Sequence, residues 1–235
     1  EIRLSLVGSE MCIRDRPARP SEIEYVACAL PDWEGAFNTS LRFKNLSFSM
    51  QWDGKVGGKT YSQSHHKMCE QGHLSETLNG RKPGTSLYLD ITDPDVLKLF
   101  EQQKITPVAG VYCIAPGVVD NGDGTYSPNR KLVTLESYYK EYYRIGNVET
   151  NTFSTTYLKL REVRLDYQLP KKWLKNTFIS NASVGVYGRN LLCITSYPMF
   201  DPETTSLDGN TFVPGVEVGT LPTSRSWGVN LKVDF

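Results

Sequence analysis

The last twelve residues, Ser224 to Phe235, read S-R-S-W-G-V-N-L-K-V-D-F and alternate without a break. In an extended strand successive side chains point to opposite sides. Trp227, Val229, Leu231, Val233 and Phe235 therefore share one face, and Ser226, Gly228, Asn230, Lys232 and Asp234 share the other. One face is wholly apolar, the other polar. A half-buried strand of a soluble sandwich alternates in the same way, so periodicity by itself leaves sandwich and barrel equally open. An aromatic residue at the chain end, with a second at the far end of the same face, favours a membrane barrel, which turns apolar residues to lipid and polar ones to a lumen.

Charge narrows the partners. The 235 residues carry 26 Lys plus Arg against 26 Asp plus Glu, so there is no basic excess to hold a phosphate backbone and nucleic acid is not an expected partner. Apolar runs fall far short of the roughly 18 residues a membrane helix needs. Any membrane span must then be made of strands. Glu1 to Arg16 has no apolar core for a secretory signal, and Ser5 to Arg16, S-L-V-G-S-E-M-C-I-R-D-R, resembles the reading frame through a sequencing-library adapter. The expected organisation is a foreign scar over 1–16, and over 17–235 the protein's own sequence, cut from a longer chain.

From Leu30 the period of two appears. Phe37, Leu41 and Phe43 share a face, as do Leu46, Phe48, Met50 and Trp52, and the step of three between Phe43 and Leu46 predicts a two-residue hairpin turn at Lys44-Asn45. Asn38, Ser40, Arg42, Ser47, Ser49, Gln51 and Asp53 fall opposite as a hydrophilic wall. A third strand from Tyr157 places Val163, Leu165, Tyr167 and Leu169 together, with Leu158 and Leu160 out of phase, which predicts a bulge near Glu162 or an upper half standing clear of the membrane. A fourth covers about Ser183 to Thr195, with Val184 and Val186 outward and Arg189 on the other face. The segment G-K-V-G-G-K-T (54–60) is one residue short of a phosphate-binding loop and reads as a glycine-loosened strand top.

Between Tyr61 and Phe153 the alternation disappears into a long polar region. Asp93-Pro94 caps a short helix, which accounts for the acids Asp90, Asp93 and Asp95. Asp120 to Gly124 is turn chemistry and does not fit a calcium loop. His65, His66 and His73, all the histidines of the chain, lie here beside Cys69. On a helix His66, Cys69 and His73 would reach one side, a weak candidate zinc set; no cofactor or metal is otherwise expected. Tyr138, Tyr139, Tyr142 and Tyr143 form two i, i+4 pairs, suited to sugar or peptide contact and, more simply, to packing the loop together. Short connections at Lys44-Asn45 and Lys171 to Ala182 alternate with long ones at Tyr61 to Phe153 and Phe200 to Thr223, the asymmetry of outer-membrane barrels.

Four stretches in order, L-P-D-W-E-G-A-F-N (30–38), Y-L-K-L-R-E-V-R-L-D-Y-Q-L-P (157–170), V-Y-G-R-N-L-L-C-I-T-S-Y (186–197) with F-D-P-E (200–203), and L-P-T-S-R-S-W-G-V-N-L-K-V-D-F (221–235), resemble the closing strands of the SusC/RagA family of TonB-linked outer-membrane transporters. The resemblance implies an all-β chain: the C-terminal antiparallel strands of a transmembrane β-barrel of about 22 strands, with long extracellular loops and a plugged lumen. It further implies import of oligosaccharides or peptides across the outer membrane, with a SusD-like surface lipoprotein and the TonB complex as partners, the latter through an N-terminal part that this chain lacks. Trp227, Val229, Leu231, Val233 and Phe235 would then be the signal read by the barrel-assembly machinery, by edge addition. The alternative is a surface binding or adhesin barrel without transport. An enzyme is remote: there is no G-x-S-x-G and no H-E-x-x-H, and no catalytic residue is expected. Spacing fixes no disulfide among Cys28, Cys69, Cys113 and Cys193, and Cys193, on a strand, is expected to be free.

Overall fold

The computed structural model describes residues 25–203, 206–208 and 211–235. The expected scar at 1–16 lies outside them. The strands in chain order begin with β1 (Pro31–Phe43), β2 (Leu46–Gly57) and β3 (Lys59–Ser62). Four short ones follow: β4 (Tyr112–Ile114), β5 (Val118–Asp120), β6 (Tyr126–Pro128) and β7 (Leu132–Thr134). Then come β8 (Thr152–Ser154), β9 (Tyr157–Gln168), β10 (Asn181–Thr195), β11 (Ser206–Asp208), β12 (Thr211–Val213), β13 (Val216–Glu217) and β14 (Ser226–Asp234). They divide between two units: one of Ala27–Tyr61 with Phe153–Phe235, the other of Glu1–Val26 with Ser62–Thr152.

The first unit is an open antiparallel sheet in the order β1-β2-β9-β10-β14, not a closed barrel. The turn falls where the parity step places it: Phe43 faces Leu46, and Lys44 takes a φ of 52°. Pro31 sits at the first position of β1, where a missing N–H costs no ladder bond. The phase slip in β9 is a bulge at Arg161: Gln51 pairs Glu162, yet the next residue, Trp52, pairs Leu160. The extra residue swaps parity, so that Leu158 and Leu160 rejoin the face of Val163, Leu165 and Tyr167. β10 answers with its own irregularity between Arg189 and Leu192, where Asn190 takes a φ of 52°.

Each face is thereby continuous over five strands. Leu41, Phe48, Leu165, Val186 and Val229 lie in a row across one side, since Leu41 pairs Phe48, Phe48 pairs Leu165, Leu165 pairs Val186 and Val186 pairs Val229. Much of this side is exposed, with Phe43, Trp227, Val229 and Leu231 all near 70%. Aromatic rings cover the strand glycines: Trp227 lies over Gly188 on the apolar side and Tyr187 over Gly228 on the polar side. At the rim that carries the turn, Arg42 donates to Gln168 (3.1 Å), Gln168 to Asn181 (2.9 Å) and Asn181 to Asp234 (3.2 Å), tying β1, β9, β10 and β14. Phe235 stacks on Phe178 at 5.5 Å.

The strand top at Gly54 to Thr60 follows from backbone freedom. Gly57 and Gly58 take φ of 83° and 73°, bending the chain out of the large sheet into a small one ordered β13-β3-β8. The amides that a phosphate would need are in use: Gly57 N–H donates to Thr156 Oγ1 (3.1 Å) and Lys59 N–H to the Cys28 carbonyl (2.8 Å).

The second unit corrects the reading of a long patternless loop. Among the described residues it holds helices Gln63–Glu70, Pro94–Gln102 and Leu135–Tyr142 and the strand pairs β4-β7 and β5-β6. The sheet unit comes nearer to all-β, with the short helix Lys171–Leu174 between β9 and β10. Cys69, Leu87, Cys113, Leu135, Tyr139 and Tyr143 form its core. Asp93 caps its helix as expected, accepting from the Asp95 amide (2.9 Å) with Pro94 at the first helical position. Asp90 instead closes a turn on Thr92, and Asp123 one on Thr125, in the loop of the β5-β6 hairpin.

Candidate functional site

The polar side of the sheet carries charge in a graded arrangement. Mid-strand, Arg189 on β10 bonds Glu162 on β9 (2.8 Å), and Arg164 bonds Asp166 on the same strand (2.6 Å). Above the bulge the density rises. Lys159, 4% exposed, donates to Asp201 Oδ1 (2.6 Å) and to Glu203. Arg161 holds Asp53 through two bonds (2.6 and 2.8 Å) and also reaches Glu203. Tyr157 donates to Glu203 (2.6 Å), and Thr223 to Asp201. Two cations thus face three carboxylates on the polar side of the sheet.

The swap of parity at Arg161 makes this cluster possible, because it brings Tyr157, Lys159 and Arg161 to the side of Asp53. Burial works against the Glu203 carboxylate, but the hydrogen bonds from Arg161, Lys159 and Tyr157 outweigh it and bring its pKa down to about 2. For Asp201 too, burial is overcome by the bonds from Lys159 and Thr223, and its pKa is lowered. The Asp201-Pro202-Glu203 turn, stiffened by the bond from the Glu203 amide to Asp201 (3.0 Å), is pinned to the wall as the first step of the long connection. None of these roles was assigned from sequence. The F-D-P-E run was visible, as were two cations at alternate positions of one strand, but 42 residues separate Lys159 from Asp201.

The terminal residues lie where the alternation puts them. Among the described residues β14 pairs with β10 on one edge and with no strand on the other; Trp227, Val229 and Leu231 are exposed, Val233 is half-buried, and Phe235 lies just beyond the strand.

In the second unit the tyrosines pair as their spacing requires, Tyr138 on Tyr142 at 5.7 Å and Tyr139 on Tyr143 at 6.1 Å. Tyr139 and Tyr143 are buried in the core, which leaves Tyr138 and Tyr142 partly accessible. Tyr139 donates to the Asn79 carbonyl (2.6 Å) and Tyr143 to Glu76 (3.1 Å).

His66, Cys69 and His73 are not brought together. Gly72, with φ of 75°, ends the first helix: the amide of His73 donates to the Met68 carbonyl (2.8 Å), and His73 is left exposed outside. His66 turns to Glu70 (3.6 Å). The residue beside Cys69 is His65, one turn earlier, and Glu76 joins from a 3-10 turn (Ser75–Leu78). Burial, with Glu76 beside it, pushes the Cys69 thiol up to about 12. Spacing i, i+4 could have found His65; nothing local signals Glu76. Cys28, Cys69, Cys113 and Cys193 are all free thiols.

Comparison with known proteins places this arrangement. No family model matches the chain. Two curated proteins of Formosa agariphila are similar: TonB-dependent receptor P3, 23% identical over 215 residues, covering 87% of this chain and 16% of that protein, and TonB-dependent receptor P26, 24% identical over 210 residues, covering 88% and 17%. Among solved structures, the RagAB peptide importer in its open-open state matches with a TM-score of 0.52 at 18% identity, over 88% of this chain and 17% of that one. Its closed-closed state gives 0.51 at 17% identity, over 88% and 18%. The chain is thus distantly homologous, over most of its length, to TonB-dependent receptors, and its sheet resembles part of the RagA barrel; it spans about a sixth of the relatives' length.

Proposed function

We propose that the chain forms closing strands of a TonB-dependent outer-membrane importer that takes up oligosaccharides or peptides with a SusD-like surface lipoprotein. The observation that carries the reading is the two-sided sheet: five strands with an unbroken apolar side and an ion-paired polar side. Exposed in water, so large an apolar face would aggregate; against lipid it is the outer surface of a barrel. The polar side lines the lumen, and the long connection of 196–225 faces the cell exterior. Trp227, Val229, Leu231, Val233 and Phe235 serve as the assembly signal, added edge-on by the barrel-assembly machinery. Of the tyrosines, Tyr138 and Tyr142 are the pair left to meet a ligand. The plug and the TonB-contacting segment are assigned to the parts of the relatives that this chain does not match. No chemistry is performed; the work is passage.

Deleting the gene in its native host should abolish growth on one class of oligosaccharide or peptide, and a strain without TonB should show the same loss. Unchanged uptake together with lost surface attachment would instead establish a binding barrel without transport, a reading favoured by the separate core of the 62–152 unit.

A further inference from the structure

We infer that His65, Cys69 and Glu76 form a zinc site that fastens the first helix of the 62–152 unit to the turn that follows it. The three donor atoms lie within 4.8 Å of one another, the sulfur beside the imidazole ring at 3.6 Å from Nε2 and 3.9 Å from Nδ1, so that a turn of the Cys69 side chain would bring all three to one ion. With metal–ligand distances of about 2.3 Å to sulfur and about 2.0–2.1 Å to nitrogen and oxygen, the edges of a zinc tetrahedron are about 3.6 Å (S to N), 3.3 Å (N to O) and 3.5 Å (S to O). The structure has 3.6 Å from Cys69 Sγ to His65 Nε2, 3.2 Å from His65 Nε2 to Glu76 Oε2, and 3.8 Å from Cys69 Sγ to Glu76 Oε2.

The surroundings choose the tautomer. Asn151, fully buried, donates its Nδ2 to the Tyr143 carbonyl (3.0 Å), so its Oδ1 is the atom that meets His65 Nδ1 (3.0 Å) and must accept a proton from it. The lone pair is then on Nε2, and it faces a carboxylate oxygen, a second acceptor. A proton on Nε2 or a metal ion can join the two at 3.2 Å, and a thiol within reach of the same point is what favours a borderline-soft metal, over magnesium or calcium, for this site. The carbonyl-type partner on the far ring nitrogen is the usual outer support of a metal-bound histidine, and Tyr143, donating to Glu76 (3.1 Å), supports a second ligand. His65 and Cys69 are buried while the Glu76 side chain is 48% exposed, so the fourth position opens to water on its side.

The test uses the full chain in detergent, with zinc content measured after dialysis and cobalt(II) as the spectroscopic probe. One equivalent of metal is expected, with a thiolate-to-cobalt charge-transfer band and the intense visible bands of tetrahedral cobalt. Cys69→Ser should abolish the charge-transfer band. Glu76→Gln, which keeps an oxygen to accept from Tyr143, should weaken zinc binding on the order of tenfold or more. His73→Gln and Cys193→Ser should change nothing. Less than a tenth of an equivalent of metal, a charge-transfer band that survives Cys69→Ser, or undiminished affinity in Glu76→Gln would each overturn the assignment.

Discussion

Replacing Lys159 with Met gives the sharpest test of how the polar side of the sheet is held. The ammonium is 4% exposed and bonds Asp201 (2.6 Å), itself 3% exposed, as well as Glu203. Methionine nearly matches the stem in volume, so packing is kept and the charge alone is lost. Asp201 would lose its ammonium partner while keeping the Thr223 hydroxyl and the Glu203 amide, and one cation would face three carboxylates. Breaking a buried pair by removing one partner costs about 3–5 kcal/mol, most of it the stranded charge. If that account is right, Lys159→Met with Asp201→Asn should recover about half of the loss, because the second change removes the uncompensated carboxylate. Urea unfolding of the full chain in micelles, followed by tryptophan fluorescence for both single variants and the double, gives the coupling. A cost below about 1 kcal/mol for Lys159→Met, or strictly additive effects, would show that the cluster is solvated like surface pairs and would refute the argument.

Three further outcomes are expected. Because the Glu203 pKa is held at about 2 against an ordinary 4.5, its contribution is fully present above pH 4.5 and is lost as pH falls from there towards 2; Glu203→Gln should remove that stretch of the stability-against-pH curve. Val229→Arg on the apolar side should cost about 2–4 kcal/mol in a bilayer, whereas Asn230→Arg, one residue on and on the polar side, should cost far less; equal effects on folded yield would contradict the proposed assignment of the two faces. Gly72→Ala should destabilise the 62–152 unit by about 1 kcal/mol, since alanine resists the φ of 75° that ends the helix; thermal unfolding read by circular dichroism checks it.

What could be read from the sequence is what repeats locally. The strands of the sheet unit show their period of two, and the hairpin at Lys44-Asn45 and the bulge at Arg161 are visible as breaks in that period. The cap at Asp93 and the turn at Asp123 depend on two or three neighbouring residues, and they too were legible, whereas Asp90, read with the cap, closes a turn of its own. The 62–152 unit was not. Its core draws on Cys69, Leu87, Cys113, Leu135, Tyr139 and Tyr143, too few and too scattered to impose a pattern on any one segment. Charge pairing was equally hidden, since Arg161 and Asp53 are 108 residues apart and meet only because the bulge reverses the direction of one side chain. The candidate metal set failed for a short-range reason: Gly72 stops the helix one residue before His73 could join it.

The bulge at Arg161 is also a place where β9 can change length without turning a side chain over. Below it the odd-numbered residues lie on the apolar side, above it the even-numbered ones, because Arg161 is the residue without a place in the ladder. Removing it would let Glu162 and Leu160 follow one another as a regular strand, with every remaining side chain on its present face and the cation beside Asp53 and Glu203 gone. A deletion far from the bulge has no such slack and turns one part of the strand over relative to the rest. Tolerance to a change of length is thus concentrated at the residue that carries the charge, and losing it there would cost the ion pairs while sparing the register.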